Sequence, residues 1–273
     1  MTVLARVRAP ASTANVGPGF DCAAVALDLW NELEVSEGDG EVDHDHLGIR
    51  AFACLASVEG KRFSFTDRIP RERGLGSSAA VIALGLVAAS VVTGYDADPE
   101  RLLAEGVELE GHGDNLAAAL AGGACLTWGS HIARVADRPP AVPVALVPTT
   151  MVSTAAAREA LPADVSHADA SFTAARAALL GAALASGSAE LFAEALADRL
   201  HEPHRAATAP LLEAVRERLP SGALGATISG SGPTVVVWAR DDAAASCVDE
   251  LSGRYPDVDV LLLPASPKGA HAL

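Results

Sequence analysis

The chain has 273 residues, of which 50% are hydrophobic and 20% are charged, and its formal net charge is −15 at pH 7. This length suits one large domain or two of ordinary size, and the composition predicts a packed core. Nucleic acids are disfavoured as partners because their phosphate backbone binds basic surfaces, whereas this chain is acidic. An anionic ligand must therefore be bound by local groups: backbone N–H groups, a few arginines and a metal ion.

The cysteines indicate a reducing compartment. They are Cys22, Cys54, Cys125 and Cys247, and no two of them form a Cys-x-x-Cys pair. Such wide spacing argues against a zinc site or a disulfide framework. No signal-peptide core is recognisable near residue 1, and the longest apolar run, residues 79–92, is shorter than the roughly 20 residues that span a bilayer. We therefore expect a cytoplasmic protein with no membrane partner.

The first predicted element is a strand over residues 3–9, where apolar and basic residues alternate up to Pro10. Turn-forming residues follow, framed by Asn15 and Asp21. They predict either an ordinary solvated loop or a rigid loop that aims an amide and a carboxylate into a pocket. The next predicted elements are strands over 25–29 and 32–35, a solvated acidic loop over 37–45, a helix over 46–58 and a strand over 62–69.

Residues 73–80, Arg-Gly-Leu-Gly-Ser-Ser-Ala-Ala, lead directly into the long apolar run. This order is typical of a tight loop that feeds a helix, with Ser77 or Ser78 near the N-cap. A helix start presents unpaired N–H groups and the positive end of the helix dipole, so it attracts phosphate. A serine hydroxyl there can also reach a magnesium ion between phosphates. Taken alone, the pattern also fits a helix that merely needs glycine where it begins.

A second polar cluster lies at a helix junction. Residues 98–100, Asp-Pro-Glu, are a helix-start signal, and the predicted helix runs to about residue 110. Residues 110–115, Glu-Gly-His-Gly-Asp-Asn, follow at once. They predict a C-cap at Gly111 with a new N-cap at Asp114, a ligand site approached through glycines, or both. An alanine-rich helix, a Gly-Gly pair and a hairpin over residues 124–128 and 132–135 end this half.

The second half of the chain predicts helices first and then a β-β-α-β order, which fits a small antiparallel sheet with helices on one face. Thr154 and Arg158 are four residues apart and share a helix face, where an arginine is usually solvated. In residues 201–205, His-Glu-Pro-His-Arg, the proline argues for a turn that presents Arg205 rather than a helical metal pair. The predicted elements are a strand over 142–147, helices over 168–185, 189–200 and 210–219, strands over 226–229 and 234–239, a helix over 242–254, a strand over 258–263 and a frayed tail over 264–273.

Several of these stretches resemble the signatures of the GHMP small-molecule kinases, such as galactokinase, homoserine kinase and mevalonate kinase. Residues 73–80 are similar to their phosphate loop, and residues 228–234, Ile-Ser-Gly-Ser-Gly-Pro-Thr, are similar to their C-terminal glycine motif. The homoserine kinase branch in particular is resembled by residues 10–21, residues 110–115, the pair Thr154 and Arg158, and the Glu-Pro-His-Arg of residues 202–205. The resemblance covers nearly the whole chain in the right order, so it is more specific than any single motif.

This resemblance implies an α+β GHMP kinase fold. Its N-terminal domain, residues 1–150, is expected to be similar to domain 2 of ribosomal protein S5, and its C-terminal domain, residues 151–273, is expected to be ferredoxin-like. The active site is expected between them. The implied reaction uses ATP and Mg²⁺ to phosphorylate the side-chain hydroxyl of L-homoserine, a step toward threonine, and a homodimer is expected by analogy.

The resemblance also implies roles for individual residues. The ATP phosphate contacts it implies are Arg73, Gly74, Leu75, Gly76, Ser77 and Ser78, and the implied magnesium ligands are Ser78 and Glu110. The implied substrate contacts are Asn15, Asp21, Thr154, Arg158, Arg205, Gly230 and Gly232. The planar arginine forks suit the substrate carboxylate, while Asn15 and Asp21 suit its ammonium. Asn115 and His112 are expected near the reacting hydroxyl. No residue is a convincing general base. Phosphoryl transfer depends mainly on alignment and charge neutralisation, so it does not require a strong one.

Two departures from the family pattern bear on nucleotide binding. Arg71-Glu72-Arg73 replaces smaller residues, and Gly113 stands where proline is common. A glutamate beside a triphosphate is unfavourable unless it points away or pairs with an arginine. Three alternatives stay open: a GHMP kinase for another alcohol, a catalytically silent ligand sensor on the same fold, and an RNA-binding protein built on the S5-like half. The chemically capable side chains argue against the sensor, and the net charge argues against RNA.

Overall fold

The computed structural model describes residues 2–95, 98–207 and 209–273. Within these residues the strands are β1 (Val3–Asn15), β2 (Gly19–Glu37), β3 (Lys61–Thr66), β4 (Ala124–Trp128), β5 (His131–Ala136), β6 (Val142–Val147), β7 (Ala223–Ile228), β8 (Val235–Ala239), β9 (Asp259–Leu262) and β10 (His271–Ala272). The α-helices are α1 (Leu47–Ala53), α2 (Ser77–Thr93), α3 (Pro99–Glu110), α4 (Asp114–Ala121), α5 (Thr154–Glu159), α6 (His167–Ser186), α7 (Ala189–Ala195), α8 (Leu211–Glu217) and α9 (Ala244–Arg254). Short 3-10 helices cover Glu202–Arg205 and Asp241–Ala243.

The first sheet is antiparallel and has the strand order β10-β1-β2-β4-β5. Strand β4 pairs with residues 23–25 of β2, and β3 pairs with residues 32–37 of the same strand. Its centre is the long β1–β2 hairpin. The prediction that the first strand stops before Pro10 is wrong, because β1 continues to Asn15, and the two strands predicted next are a single strand. The pairing shifts register between Pro10 and Ala11, and such an irregularity lets a strand accommodate a proline.

Helix α2 lies at the centre of the core, and the first sheet packs against it. Every residue from 79 to 90 is buried, so the helix is apolar all round, as a central core helix must be. Its small side chains allow very close packing. A Cβ on Gly85 would lie 2.1 Å from the carbonyl oxygen of Gly48, in the segment that forms α1. Glycine is therefore required here by the distance between two backbones.

The second sheet has the order β7-β8-β6-β9, and all of its neighbouring strands are antiparallel. In chain order within this half, that is a split β-α-β arrangement, the ferredoxin-like topology that was predicted. The predicted α+β class is confirmed. One face of the second sheet joins the core of the first half, since Trp238 of β8 and Phe192 of α7 belong to the same buried cluster as residues of α2 and β1. The other face packs against α8 and α9 in a second buried cluster.

Two predicted boundaries in the second half are wrong for identifiable reasons. Helix α7 ends at Ala195 rather than near residue 200, because the Asp198 carboxylate accepts hydrogen bonds from the N–H groups of Leu200, His201 and Glu202. A side chain that binds nearby backbone groups competes with the helix. The tail 264–273 is not frayed, because His271 and Ala272 pair with β1. No helix among the described residues has the length and apolarity that a membrane span requires.

We expect Gly85→Ala to destabilise the fold by about 2 kcal/mol. The methyl group would press on the Gly48 carbonyl and cost up to about 3 kcal/mol, which exceeds the gain of about 1 kcal/mol that alanine has over glycine in a helix. Urea unfolding measures the difference. Gly253→Ala is the matched control, because a Cβ there meets nothing within 4 Å; it should leave stability unchanged or raise it. Equal effects of the two substitutions would contradict the packing argument.

Candidate active site

The loop before α2 is held in a conformation that only glycine adopts easily. Gly74 and Gly76 have φ angles of 77° and 65°, in the left-handed region. A Cβ on Gly74 would lie 2.2 Å from the Ser229 carbonyl oxygen, and one on Gly76 would lie 2.0 Å from Ser12 Oγ. Both glycines are thus required twice, by their backbone angles and by their neighbours.

Helix α2 begins at Ser77, and its N-cap residue is Gly76, which provides no side-chain hydrogen bond to the helix. The serines thus occupy the first helical positions rather than the cap. The first N–H groups of a helix have no partner within it and carry the positive end of its dipole. Since residues Gly74 to Ser78 line the cleft, this end of α2 is available to an anion.

One cleft of about 210 Å³ brings together nearly all the predicted site residues. Those that line it are Asn15, Asp21, Arg73, Gly74, Leu75, Gly76, Ser77, Ser78, Glu110, His112, Asn115, Thr154, Arg158, Arg205 and Gly230. Gly232 is the exception: its amide and carbonyl lie behind Gly74, against the position that a Cβ there would take. The cleft therefore lies where the first sheet's loops face the second sheet's glycine motif.

Ser78 and Glu110 form a pair of oxygen donors beside the α2 N-terminus. Ser78 Oγ donates to Glu110 Oε2 over 2.7 Å. Burial raises the pKa of Glu110, although the Ser78 hydrogen bond and the nearby His112 lower it in part. Hydroxyl and carboxylate oxygens suit a hard divalent cation, so these two side chains are chemically fit for Mg²⁺. No cluster of three or more histidine, cysteine or acidic side chains that could hold a metal is found in the described ranges.

His112 is held by Asp114, for which the sequence predicted a helix N-cap, a place in a ligand site, or both. His112 Nδ1 lies 2.8 Å from Asp114 Oδ1, and the same oxygen accepts the N–H of Asn115 over 2.7 Å. The hydrogen bond to Asp114 raises the pKa of His112, and burial opposes that rise. Asp114 is only 2% exposed. The helix N-cap is Gly113, not Asp114, so this carboxylate is available to orient the histidine.

Asp21 and Arg158 face each other across the cleft in a two-pronged ion pair. Arg158 Nη1 and Nη2 donate to the two Asp21 carboxylate oxygens over 3.0 and 2.8 Å. Both side chains remain more than a third exposed, so the pair is accessible to a ligand. Asp21 has a φ of 55°, an uncommon angle for a residue with a side chain. Asn15 Oδ1 accepts the Asp21 N–H over 3.0 Å and helps to hold that turn.

Arg205, by contrast, is buried and hydrogen-bonded to other groups of the protein. Its guanidinium donates to the Gly230 carbonyl over 2.9 Å and approaches His201 Nδ1 at 3.2 Å. Burial lowers the pKa of His201 to about 4, so the ring is neutral. Because a guanidinium only donates and a carbonyl only accepts, His201 carries its proton on Nε2, which lies 2.8 Å from the Gly17 carbonyl oxygen. Phe20 stacks on His201 at 5.1 Å and lies beside both cleft arginines.

Glu202 and Arg216 fasten the same turn to β7. Glu202 Oε2 accepts from Arg216 Nη2 over 2.5 Å, and its Oε1 accepts the Ile228 N–H over 2.9 Å. Burial raises the pKa of Glu202 to about 6, with the arginine and the N–H group limiting the rise. The glutamate of the Glu-Pro-His-Arg stretch therefore supports the arginine that reaches the cleft.

Arg71, Glu72 and Arg73, which replace smaller residues of the family pattern, each have a contact or a position that the structure defines. Arg71 pairs with Asp67, and Arg73 Nη1 donates to the Pro148 carbonyl over 2.5 Å. Glu72 lies exposed at the cleft with a φ of 55°, and its carbonyl accepts the N–H of Val152. The backbone of Glu72 thus links the phosphate loop to the start of the second half.

Comparisons with known proteins match this architecture. The family described as the GHMP kinases N terminal domain matches residues 46–123, and the GHMP kinases C terminal family matches residues 180–257. A homoserine kinase of Streptomyces avermitilis is 42% identical, over 98% of this chain and 95% of that protein. One of Synechococcus sp. is 40% identical, over 88% and 87%. The crystal structure of a homoserine kinase from Cytophaga hutchinsonii matches with a TM-score of 0.87 at 25% identity, over 98% of this chain and 97% of that one.

Asp114→Asn should lower the pKa of His112, because it removes the carboxylate that stabilises the protonated ring. A raised histidine pKa stabilises the fold below the ordinary value of 6.5, and this contribution disappears as the pH rises through the raised value. The variant should thus lose more stability at pH 5.5 than at pH 8. NMR titration of the His112 ring protons and urea unfolding at both pH values measure the two effects. An unchanged titration midpoint would show that Asp114 does not control this histidine.

Proposed function

The chain belongs to the GHMP kinase family, and we propose that it transfers the γ-phosphate of ATP to the side-chain hydroxyl of L-homoserine. The product is O-phospho-L-homoserine, an intermediate on the way to threonine. The family supports ATP as the phosphate donor, and the names of the relatives support the acceptor.

The observation that carries the proposal is the mixture of charges in the substrate half of the cleft. Asp21 lies between Asn15 and Arg158, and Arg205 lies close by. An amino acid is a zwitterion, so it can use both a carboxylate and guanidinium groups. Galactose is neutral and mevalonate carries only a carboxylate, so neither would satisfy Asp21. The site chemistry therefore favours an amino-acid alcohol.

Binding of a zwitterion would exchange ion pairs rather than create or destroy charge. The substrate carboxylate would take the Arg158 and Arg205 forks, and its ammonium would take Asp21 and Asn15. Because the Arg158–Asp21 pair is partly exposed, separating it costs little: such pairs contribute about 0–1 kcal/mol. Thr154, whose Oγ1 lies 3.5 Å from Ser231 Oγ, and the Gly230 backbone would complete the pocket, with Gly232 supporting it from behind.

The phosphates would lie against the N-terminus of α2. The backbone amides of residues 74–77 and the Ser78 hydroxyl would bind them, with the helix dipole adding positive potential. Arg73 would contribute once its guanidinium leaves the Pro148 carbonyl. Ser78 and Glu110 would hold Mg²⁺, which when bound neutralises charge on the transferring phosphoryl group.

Asn115 and His112 would orient the reacting hydroxyl and the phosphoryl oxygens. Asp21 is engaged by Arg158 and would be engaged by the ammonium of the substrate, so it is a poor proton acceptor. Catalysis then depends on alignment and electrostatic stabilisation, which is what phosphoryl transfer requires most. The division into residues 1–150 and 151–273, a homodimer and a cytoplasmic location complete the proposal and await their own tests.

The proposal is tested by coupled ADP release with L-homoserine, mevalonate and galactose in parallel. Turnover with L-homoserine alone supports it. Turnover only with another alcohol would place the chain elsewhere in the family, and binding of ATP and homoserine without turnover would make it a silent sensor. Detection of O-phospho-L-homoserine by ³¹P NMR excludes simple ATP hydrolysis as the source of ADP.

Glu110→Gln should lower kcat by about 100-fold and raise the Mg²⁺ concentration that gives half-maximal activity. The amide keeps the size of the side chain but loses the negative charge that attracts the cation. Steady-state rates over a Mg²⁺ titration give both quantities. Glu108→Gln is the control, because Glu108 is exposed on the same helix, α3. An unaltered Mg²⁺ dependence in Glu110→Gln would remove Glu110 from the metal site.

Arg158→Ala should raise the KM for L-homoserine by about 100-fold, because a bidentate charge-assisted contact contributes up to about 3 kcal/mol. The KM for ATP should stay within about twofold, since the phosphate site is built from α2. Arg138→Ala, which removes a surface pair with Asp241, serves as the control. An unchanged homoserine KM in Arg158→Ala would refute the assigned role.

A further inference from the structure

Helix α4 carries site residues at one end only. Asp114 and Asn115 form its first turn at the cleft, while its other end lies at Ala121. With 8 residues, the helix is about 12 Å long. Over so short a distance a shift of one end moves the other, so the contacts that hold the end at Ala121 help to set the position of Asn115 along the helix axis.

The last turn of α4 is capped by the segment 264–273. The N–H of Ala270 donates to the Ala119 carbonyl over 2.7 Å, which is one of the carbonyls that a helix end leaves unpaired. Gly269 lies against the next carbonyl, since a Cβ there would be 2.0 Å from Leu120 O. A distant part of the chain thus provides the C-terminal cap of this helix.

The turn that leaves α4 is held by the same segment. The N–H of Gly123 donates to the Ser266 carbonyl over 2.7 Å. A Cβ on Gly122 would lie 2.4 Å from the carbonyl carbon of Lys268. Arg134 links the two segments, since its guanidinium donates to Gly122 O over 3.2 Å and to Pro267 O over 2.8 Å. The two backbones therefore fit together with no space for a side chain.

The far end of the segment is anchored on the first sheet. His271 Nδ1 lies 2.7 Å from Gly269 O, so this nitrogen carries the proton, and Nε2 accepts from Arg8 Nε over 3.1 Å. The ring also meets the edge of Trp30 at 5.6 Å. The N–H of Leu273 donates to the Arg6 carbonyl over 2.8 Å. The segment is thereby fixed at both ends, to the central strand β1 and to the end of α4.

We propose that residues 266–273 are a positioning element for catalysis, which sets the axial position of α4 and so places Asn115 and His112 against the reacting hydroxyl. This inference rests on the proposed kinase function. Among the described residues, the hydrogen bonds of the segment reach α4, β1, β2 and Arg134, not the phosphate loop, Arg158 or Arg205. Its disturbance should therefore slow phosphoryl transfer without weakening the binding of ATP or homoserine.

Gly269→Ala tests the inference. The methyl group would press on Leu120 O, which is backbone and cannot move unless α4 moves. Misplacement of a reacting group by about 1 Å can cost 100-fold in rate, so we expect kcat to fall between about 10- and 100-fold. Both KM values should stay within about twofold. Gly253→Ala, the same substitution at a position outside the segment where a Cβ meets nothing within 4 Å, should retain the full kcat.

Hydrogen exchange and thermal unfolding separate positioning from general destabilisation. Amides of α4 should exchange faster in Gly269→Ala at a temperature where the variant is folded, while those of the distant helix α9 should not change. A variant with lower thermal stability but unchanged kcat would overturn the inference, as would a parallel rise of both KM values. If Gly269→Ala does not fold, His271→Ala removes the anchor on Arg8 without adding atoms: a loss of kcat alone supports the inference, and an unchanged kcat overturns it. Absence of homoserine phosphorylation by the unmodified chain would instead defeat the proposed function.

Discussion

Direct backbone contact between three segments is the constraint on which the rest of this structure depends. The loop before α2 and the turn after β7 meet with no space for a side chain at Gly74, and backbone hydrogen bonds join strand β1 to both of them. Ser12 N–H donates to Leu75 O and Gly230 N–H donates to Ala14 O, both over 3.1 Å. Ser229 Oγ donates to Gly74 O over 2.6 Å. These contacts join both sheets. A change in the relative position of the two halves would therefore also change the geometry of the phosphate loop.

Under the proposed function, these backbone contacts also explain how an acidic chain would bind the phosphates of ATP. Close packing of backbone on backbone holds the first turn of α2 open to the cleft, so the positive potential comes from main-chain amides and a helix dipole rather than from lysines. Ser12 also reaches one of the proposed catalytic residues, since its Oγ donates to Asn115 Oδ1 over 2.8 Å. Under the proposed function, the ATP phosphates would contact local backbone amides, so their binding would not require a basic protein surface.

In the proposed substrate half of the cleft, Arg205 is held by hydrogen bonds within the protein, whereas Arg158 and Asp21 form a partly exposed ion pair. Arg205 lies in a buried network whose other members, His201 and Asp198, are 0% and 8% exposed. Breaking such a network would leave buried polar groups unpaired, which is costly. Arg158 and Asp21 instead satisfy each other at the surface of the cleft. Under the proposed function, a zwitterionic ligand would replace each partner with its own opposite charge, so binding would leave the net charge of the site unchanged.

Much of the fold could be predicted from local patterns in the sequence, whereas the roles of most cleft residues were predicted from the resemblance to the GHMP kinases. The glycines and serines of residues 73–80 define a loop and a helix start wherever that helix packs. The β-β-α-β order of the second half determines a split β-α-β sheet. Asn15 and Asp21 could be singled out because they frame a stretch of turn-forming residues. In each case the physical cause, a backbone angle or a hydrophobic period, lies within a few neighbouring residues.

Only the tertiary structure decided which groups meet. Arg158 and Asp21 are 137 residues apart in sequence and Asn15 and Gly230 are 215 apart, so no local pattern could pair them. Asp114 had the local signature of a helix cap, yet a neighbouring histidine takes its carboxylate. The segment 264–273 has no hydrophobic period and looked frayed, but the open carbonyls of α4 and the edge of β1 give its backbone partners. The sequence by itself determined the elements and the chemistry that each could carry; burial and long-range hydrogen bonds determined how they act together.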